Sequence, residues 1–234
     1  MSTKPTAIVT GSSSGIGQKL AIDLSDEYFV YLISRNKVRL NETSKLIEQK
    51  GNQSQIVTAD ISKESEVSAI SSNFDMSKIQ LLINNAGLFK TSLLQNTSVK
   101  DWDEQINVNL RGSFLMTKSV VPKMIENKSG KIVFINSTAG KYPFKSSSAY
   151  CASKYGLRGF ASALREELRE HKIKVISIFP GAVNTPIWDG SGLNFPRLQM
   201  MSIDNVSEII FNAIDAPGNC TVEEVDINRV QGSF

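Results

Sequence analysis

The chain has 234 residues, 41% of them apolar and 21% charged, with a formal net charge of +3. That balance fits a globular protein and argues against nucleic-acid or membrane-surface binding, which show as large or clustered charge. No apolar run reaches the roughly 18 residues that a membrane-spanning helix needs, and two cysteines (Cys151, Cys220), one histidine (His171) and no CxxC pair exclude a zinc site and make a disulfide framework unexpected.

The opening MSTKPTAIVTG runs straight into a strand pattern, so no signal peptide and a cytoplasmic location are expected. Strand-length apolar runs then recur at 6–11, 29–34, 54–60, 79–87, 130–137, 173–180 and 221–227. Most are continuously apolar, as strands covered on both faces are. The last, TVEEVDI, alternates, as an exposed edge strand should. Helical spacing fills the gaps at 15–26, 37–50, 63–73, 98–126, 148–170 and 203–214. This alternation predicts a single α/β domain over 1–234, a Rossmann-like doubly wound parallel sheet of about seven strands with helices on both faces. His171, near the end of a long helical pattern, reads as a C-terminal helix charge.

Between the first strand and helix stands TGSSSGIG, residues 10–17. A flexible linker would need neither neighbour; a phosphate-binding loop needs both. Its glycines, Gly11, Gly15 and Gly17, follow neither the G-x-G-x-x-G spacing nor the ATPase pattern with its lysine. The physics still holds: Gly11, Ser12, Ser13, Ser14, Gly15, Ile16 and Gly17 bring backbone close to a pyrophosphate at a helix N-terminus. The second strand ends LISRN. An acidic residue there would bind the ribose hydroxyl of NAD; Ser34 and Arg35 instead offer a hydroxyl and a guanidinium to the 2′-phosphate of NADP.

Tyr150 and Lys154, four apart in SSSAYCASKYG, share one helix face. A cationic lysine nearby would lower the pKa of the phenol and let it exchange a proton with a substrate oxygen. Ser137 and Thr138 end a strand, where ligands bind in open α/β sheets. Cys151, one helical step from Tyr150, reads as core.

Taken in order, these segments strongly resemble the short-chain dehydrogenase/reductase family along essentially the whole chain. TGxxxGxG runs from Thr10 to Gly17, Asp60-Ile61 ends the third strand, NNAG spans Asn84 to Gly87 and includes Asn85, Val108-Asn109 lies in a helix, and Ser137 precedes Tyr150 by thirteen residues. YxxxK is Tyr150 to Lys154, and PGAVNT supplies Pro180, Gly181, Val183 and Thr185. The resemblance implies NADP(H) as cofactor, contacted by the glycine loop, Ser34, Arg35, Asp60, Ile61, Asn85, Tyr150, Lys154 and the PGAVNT residues. It implies a catalytic set in which Tyr150 protonates a carbonyl oxygen, Ser137 polarises it, Lys154 lowers the Tyr150 pKa and holds the ribose, and Asn109 holds a relay water. No metal is implied. Two departures stand out: Ser14 replaces the basic residue many NADP-dependent members carry, and the tail VEEVDINRVQGSF is not the glycine-rich end of family tetramers. A homodimer through the helices at 98–126 and 148–170 is the family expectation.

PIWDGSGLNFPRLQMM (186–201), with Trp188, Phe195, Met200 and Met201, reads as a lid over an apolar or mixed substrate. The leading expectation is reduction of a carbonyl or oxidation of an alcohol. Alternatives are a 3-oxoacyl-(acyl-carrier-protein) reductase, which would want a basic docking patch from Lys131, Lys141 and Lys145, and a catalytically silent NADP-binding regulator. A methyltransferase would want an acid where Ser34-Arg35 stand.

Overall fold

Continuously apolar segments can hide both faces only inside a layered structure, and that is where they lie. The computed structural model describes residues 4–71, 74–189, 191 and 196–232. Strands β1 (Thr6–Thr10), β2 (Phe29–Ser34), β3 (Ser54–Thr58), β4 (Ile79–Asn84), β5 (Gly130–Ile135), β6 (Ile173–Pro180) and β7 (Glu224–Ile227) form one sheet in the order β3-β2-β1-β4-β5-β6-β7. Every pairing is parallel. The helices are α1 (Gly15–Leu24), α2 (Lys37–Gln49), α3 (Glu64–Ser71), α4 (Val99–Ile106), α5 (Ser113–Asn127), α6 (Ser148–Leu168) and α7 (Ile203–Ile214).

Alternation along β1 sends Ala7 and Val9 into a core with Leu20, Leu40 and Ile210, and Ile8 into a second core with Met116, Leu157 and Leu164 on the other face. Phe134 of β5 is fully buried and meets Phe160 edge-on at 5.7 Å. Helix starts are fixed by side chains that satisfy free N–H groups: Asn36 accepts from Arg39, Ser98 from Asp101 and Ser202 from Asn205. On β7 only Ile227 is buried, as its alternation predicts for an edge strand. Its carboxylates are neutralised locally, Lys141 reaching Glu224 at 2.9 Å and Asp226 at 2.8 Å, and Arg158 reaching Glu224 at 3.0 Å.

The strand order reverses between β1 and β4, which opens a crevice at the carboxyl ends of the strands. Several apolar runs overshoot their strands at this end. β1 stops at Thr10 and β4 at Asn84, freeing Gly11 and Asn85–Gly87 to line the crevice.

The helix expected over 98–126 is not one α-helix. Asn107–Gly112 is π-helical and separates α4 from α5. Local bonds explain the break. Asn109 is fully buried, accepts the Leu88 N–H at 2.8 Å, and donates to Leu88 O and Ser153 Oγ, each at 3.0 Å. Turning this side chain inward needs the wider turn, and apolar periodicity carries no sign of it.

Candidate active site

Thr10 and Asn85 clip the ends of β1 and β4 together. The Thr10 hydroxyl accepts the N–H groups of Asn85 and Ala86, each at 3.0 Å, and Asn85 Nδ2 donates to Thr10 O at 3.0 Å and Gly11 O at 3.2 Å. The loop then turns through Gly15 at φ +58°, a left-handed conformation that disfavours any side chain. A Cβ on Gly17 would lie 2.2 Å from Asn85 Nδ2 and 2.5 Å from Gly11 O, so α1 packs directly on the loop. Ser14, at the N-cap of α1, makes no side-chain cap bond. The positive end of α1 thus faces the crevice, suited to an anion.

Beyond the loop, the Ser13 and Ser34 hydroxyls bond at 2.9 Å. Arg35 is exposed at the rim of the same cleft, with Asp60 and Ile61 opposite. Burial works to raise the Asp60 carboxyl, but the Ser62 hydroxyl and amide, with the charge of Arg35, hold it below its ordinary range.

At the other end, Ser137 follows β5 and caps a short turn, accepting the Ala139 N–H at 3.1 Å. Its hydroxyl faces that of Tyr150 on α6 closely enough to favour the phenolate. One turn on, Lys154 is 4% exposed, donates to Ile135 O at 3.0 Å, and has Nζ 5.7 Å from the Tyr150 ring centre. The lowered phenol pKa expected from the sequence is not what this geometry gives. Burial pushes Tyr150 up to about 12, with the Ser137 hydroxyl pulling the other way. Burial also pushes Lys154 down to about 7. A lysine that is itself desolvated and anchored on a backbone carbonyl has little charge to lend its neighbour.

The cleft encloses about 490 Å³ and is lined by Gly11, Ser13, Ser14, Gly15, Ile16, Ser34, Arg35, Asp60, Ile61, Asn85, Ser137, Tyr150, Lys154, Pro180, Gly181, Val183 and Thr185. Three of the residues expected to act in catalysis or to contact the cofactor do not line it. Ser12 is fully buried, its hydroxyl turned to Ile33 O at 3.5 Å. Gly17 supports the loop from behind, and Asn109 sits behind the wall with Oδ1 on the Leu88 amide.

The structure also brings in residues that the motifs did not include. Phe89 stacks edge-on against Tyr150 at 4.6 Å and Trp188 at 5.5 Å. Phe144, Lys145, Asn228 and Arg229 line the cleft as well. Phe89 follows the end of β4 and Asn228 the end of β7, so the strand-end rule that found Ser137 would have found them. Within 186–201, Pro186–Trp188 forms a short helical turn and Trp188 Nε1 donates to Val183 O at 2.8 Å. Phe195 lies outside the described residues. The basic patch does not assemble. Lys131 is at the start of β5, at the opposite end of the strand from the cleft, and Lys141 is tied to β7, leaving Lys145 on the cleft wall.

A parallel sheet with a glycine loop at its reversal point is the architecture of dinucleotide-binding enzymes. The family model for short chain dehydrogenases matches residues 5–193, and the chain belongs to that family. It is 31% identical to an uncharacterized oxidoreductase of Staphylococcus epidermidis, covering 96% of each chain. It is 30% identical to sepiapterin reductase of Chlorobaculum tepidum, covering 99% of this chain and 98% of that one. Among solved structures, a variant of actinorhodin polyketide ketoreductase with NADPH matches at TM-score 0.89 and 27% identity over 100% of both chains. A metagenomic short-chain oxidoreductase in complex with NADP matches at TM-score 0.83 and 28% identity, covering 95% of this chain and 96% of that one. The chain is an oxidoreductase of this family.

Proposed function

We propose that the protein is an NADPH-dependent carbonyl reductase with Tyr150 as proton donor. The observation that carries this reading is the neighbouring Ser137 and Tyr150 hydroxyls, one helical turn from buried Lys154, in the cleft that also holds the glycine loop. The residues fit NADP: an uncapped helix N-terminus for the pyrophosphate, and Ser34 and Arg35, with no carboxylate at the end of β2, for the 2′-phosphate. NADP- and NADPH-bound relatives support the cofactor, and a sepiapterin reductase relative supports the reductive direction.

When bound there, the cofactor supplies hydride to the carbonyl carbon. The chain does the rest. Ser137 holds the carbonyl oxygen by a hydrogen bond and polarises it. Tyr150, a phenol that keeps its proton at neutral pH and that burial pushes higher still, gives that oxygen its proton. Lys154, anchored on Ile135 O at 3.0 Å, would hold the sugar hydroxyls next to the nicotinamide. Asn109 fixes the Leu88 segment to α6 through Ser153, which also bonds Tyr150 O at 2.7 Å, and so holds the tyrosine helix in place. NADPH oxidation followed against ketones, aldehydes, quinones and 3-oxoacyl thioesters tests the reading. Absence of turnover on all of them, with NADPH still bound, would favour the silent regulator; sole use of the thioesters would favour the carrier-protein reductase.

A further inference from the structure

We infer that the substrate pocket beside Tyr150 selects ketones whose side arm carries a flat aromatic ring, and that Phe89 and Trp188 set this selectivity. The inference rests on the proposed role of Tyr150 and names the substrate class for that site. Besides Tyr150, three aromatic rings from separate segments line the cleft. Phe89 comes from the segment after β4, Phe144 from the segment between Ser137 and α6, and Trp188 from the turn after β6. The rings of Tyr150, Phe89 and Trp188 form a continuous edge-to-face chain, at 4.6 Å and 61° and then at 5.5 Å and 78°. Edge-to-face packing of this kind leaves ring faces and edges with complementary charge distributions for a further ring, a contact that a saturated ring of the same size cannot reproduce.

The wall is also held before any substrate arrives. The Trp188 indole N–H is fixed on Val183 O at 2.8 Å. The next residue, Asp189, pairs with Arg197, which also donates to Thr185 O at 2.6 Å and Asn184 Oδ1 at 3.2 Å. Thr91 adds a bond from its hydroxyl to Ser191 O at 2.5 Å, tying the same turn to the Phe89 segment. A pocket fixed in this way selects shape without the cost of ordering its walls.

The test compares benzylacetone with its cyclohexyl analogue. The two carbonyls are equally unconjugated, and both reactions are the same: hydride from NADPH to carbon, a proton to oxygen, ketone to secondary alcohol. The ratio of their kcat/KM values therefore cancels any effect on Tyr150 itself. The phenyl ketone should be favoured about threefold to tenfold, the worth of one aromatic contact. Phe89→Leu and Trp188→Leu should each bring the ratio close to unity, mainly through KM. A ratio near unity in the unaltered protein, or one that both variants leave unchanged, overturns the inference. If neither ketone turns over, binding decides. In Trp102→Phe, Trp188 is the remaining tryptophan, and its fluorescence reports titration of each ketone with NADP⁺ present. Tighter saturable binding of the phenyl ketone would uphold the pocket and count against the catalytic reading; equal affinities would reject the pocket.

Discussion

Lys154 Nζ donates to the carbonyl oxygen of Ile135 at 3.0 Å, and the lysine is 4% exposed. A buried amine with one neutral acceptor is a poor place for a full charge, and its pKa falls to about 7. In the unfolded chain the same group binds its proton up to about pH 10.4. Between those values the unfolded state holds more protons, so this residue makes stability rise with pH across that window. Below it both states are charged and the burial penalty is fully present. Urea midpoints at about pH 6, 8 and 9.5 should rise in the unaltered protein relative to Lys154→Met. Parallel profiles for the two would show that Lys154 does not titrate in this range.

Tyr150 gives a prediction of opposite sense. A phenol raised to about 12 stays protonated in the working range, so carbonyl reduction should not decline between pH 7 and 9 through loss of the proton donor. Tyr150→Phe should lose about 10²–10⁴-fold in kcat while NADPH binding, followed by cofactor fluorescence, stays near normal. A decline in rate with a midpoint below about pH 9, absent from the nicotinamide chemistry alone, would mean the phenol is far more acidic than its burial implies.

At the opposite end of the cleft, Arg35 stands exposed beside the Ser13–Ser34 pair. NADPH should be preferred to NADH. Arg35→Ala should remove about 1.5–3 kcal/mol of that preference, the worth of a hydrogen bond to a charged group. The check is kcat/KM for both cofactors with one ketone. Equal use of the two by the unaltered protein would rule out the phosphate site.

Gly17→Ala should damage the loop without touching the cleft surface. Its new methyl would fall 2.2 Å from Asn85 Nδ2 and 2.5 Å from Gly11 O, so α1 or the β1–β4 clip must move. Overpacking of this kind costs about 1–3 kcal/mol. A lower urea midpoint and weaker NADPH binding are expected together; retention of both would show that Asn85 can swing aside freely.

The sheet was legible because strands such as AIV and LLI are apolar without alternation, which leaves few places for them to lie. The glycine loop was legible for a related reason: Gly11, Gly15 and Gly17 are needed for backbone geometry, and backbone geometry leaves spacing. What spacing does not carry is the direction of a side chain. Ser12 belongs to the same motif as Ser13, yet one hydroxyl points into the core and the other toward Ser34. Nor does spacing carry burial, which reversed the expected shift of Tyr150. Phe89, Asn228 and Arg229 come together from distant strand ends and have no motif between them. Lys131 and Lys141 resemble a patch only until the strand direction and β7 separate them.

The π-helical stretch Asn107–Gly112 has the form of one amino acid added to an otherwise regular α-helix. Each residue in an α-helix advances the rotation by about 100°, and the wider turn absorbs the added residue so that α5 keeps the phase of α4. Leu115, Met116 and Val120 beyond it are buried in the core. Deleting a single residue from the stretch would let α4 and α5 run on as one regular helix with that phase kept, at the cost of the Asn109 bonds to Leu88 and Ser153. The damage from a frame-preserving loss of one codon should therefore fall on the bracing of the Tyr150 helix rather than on the core.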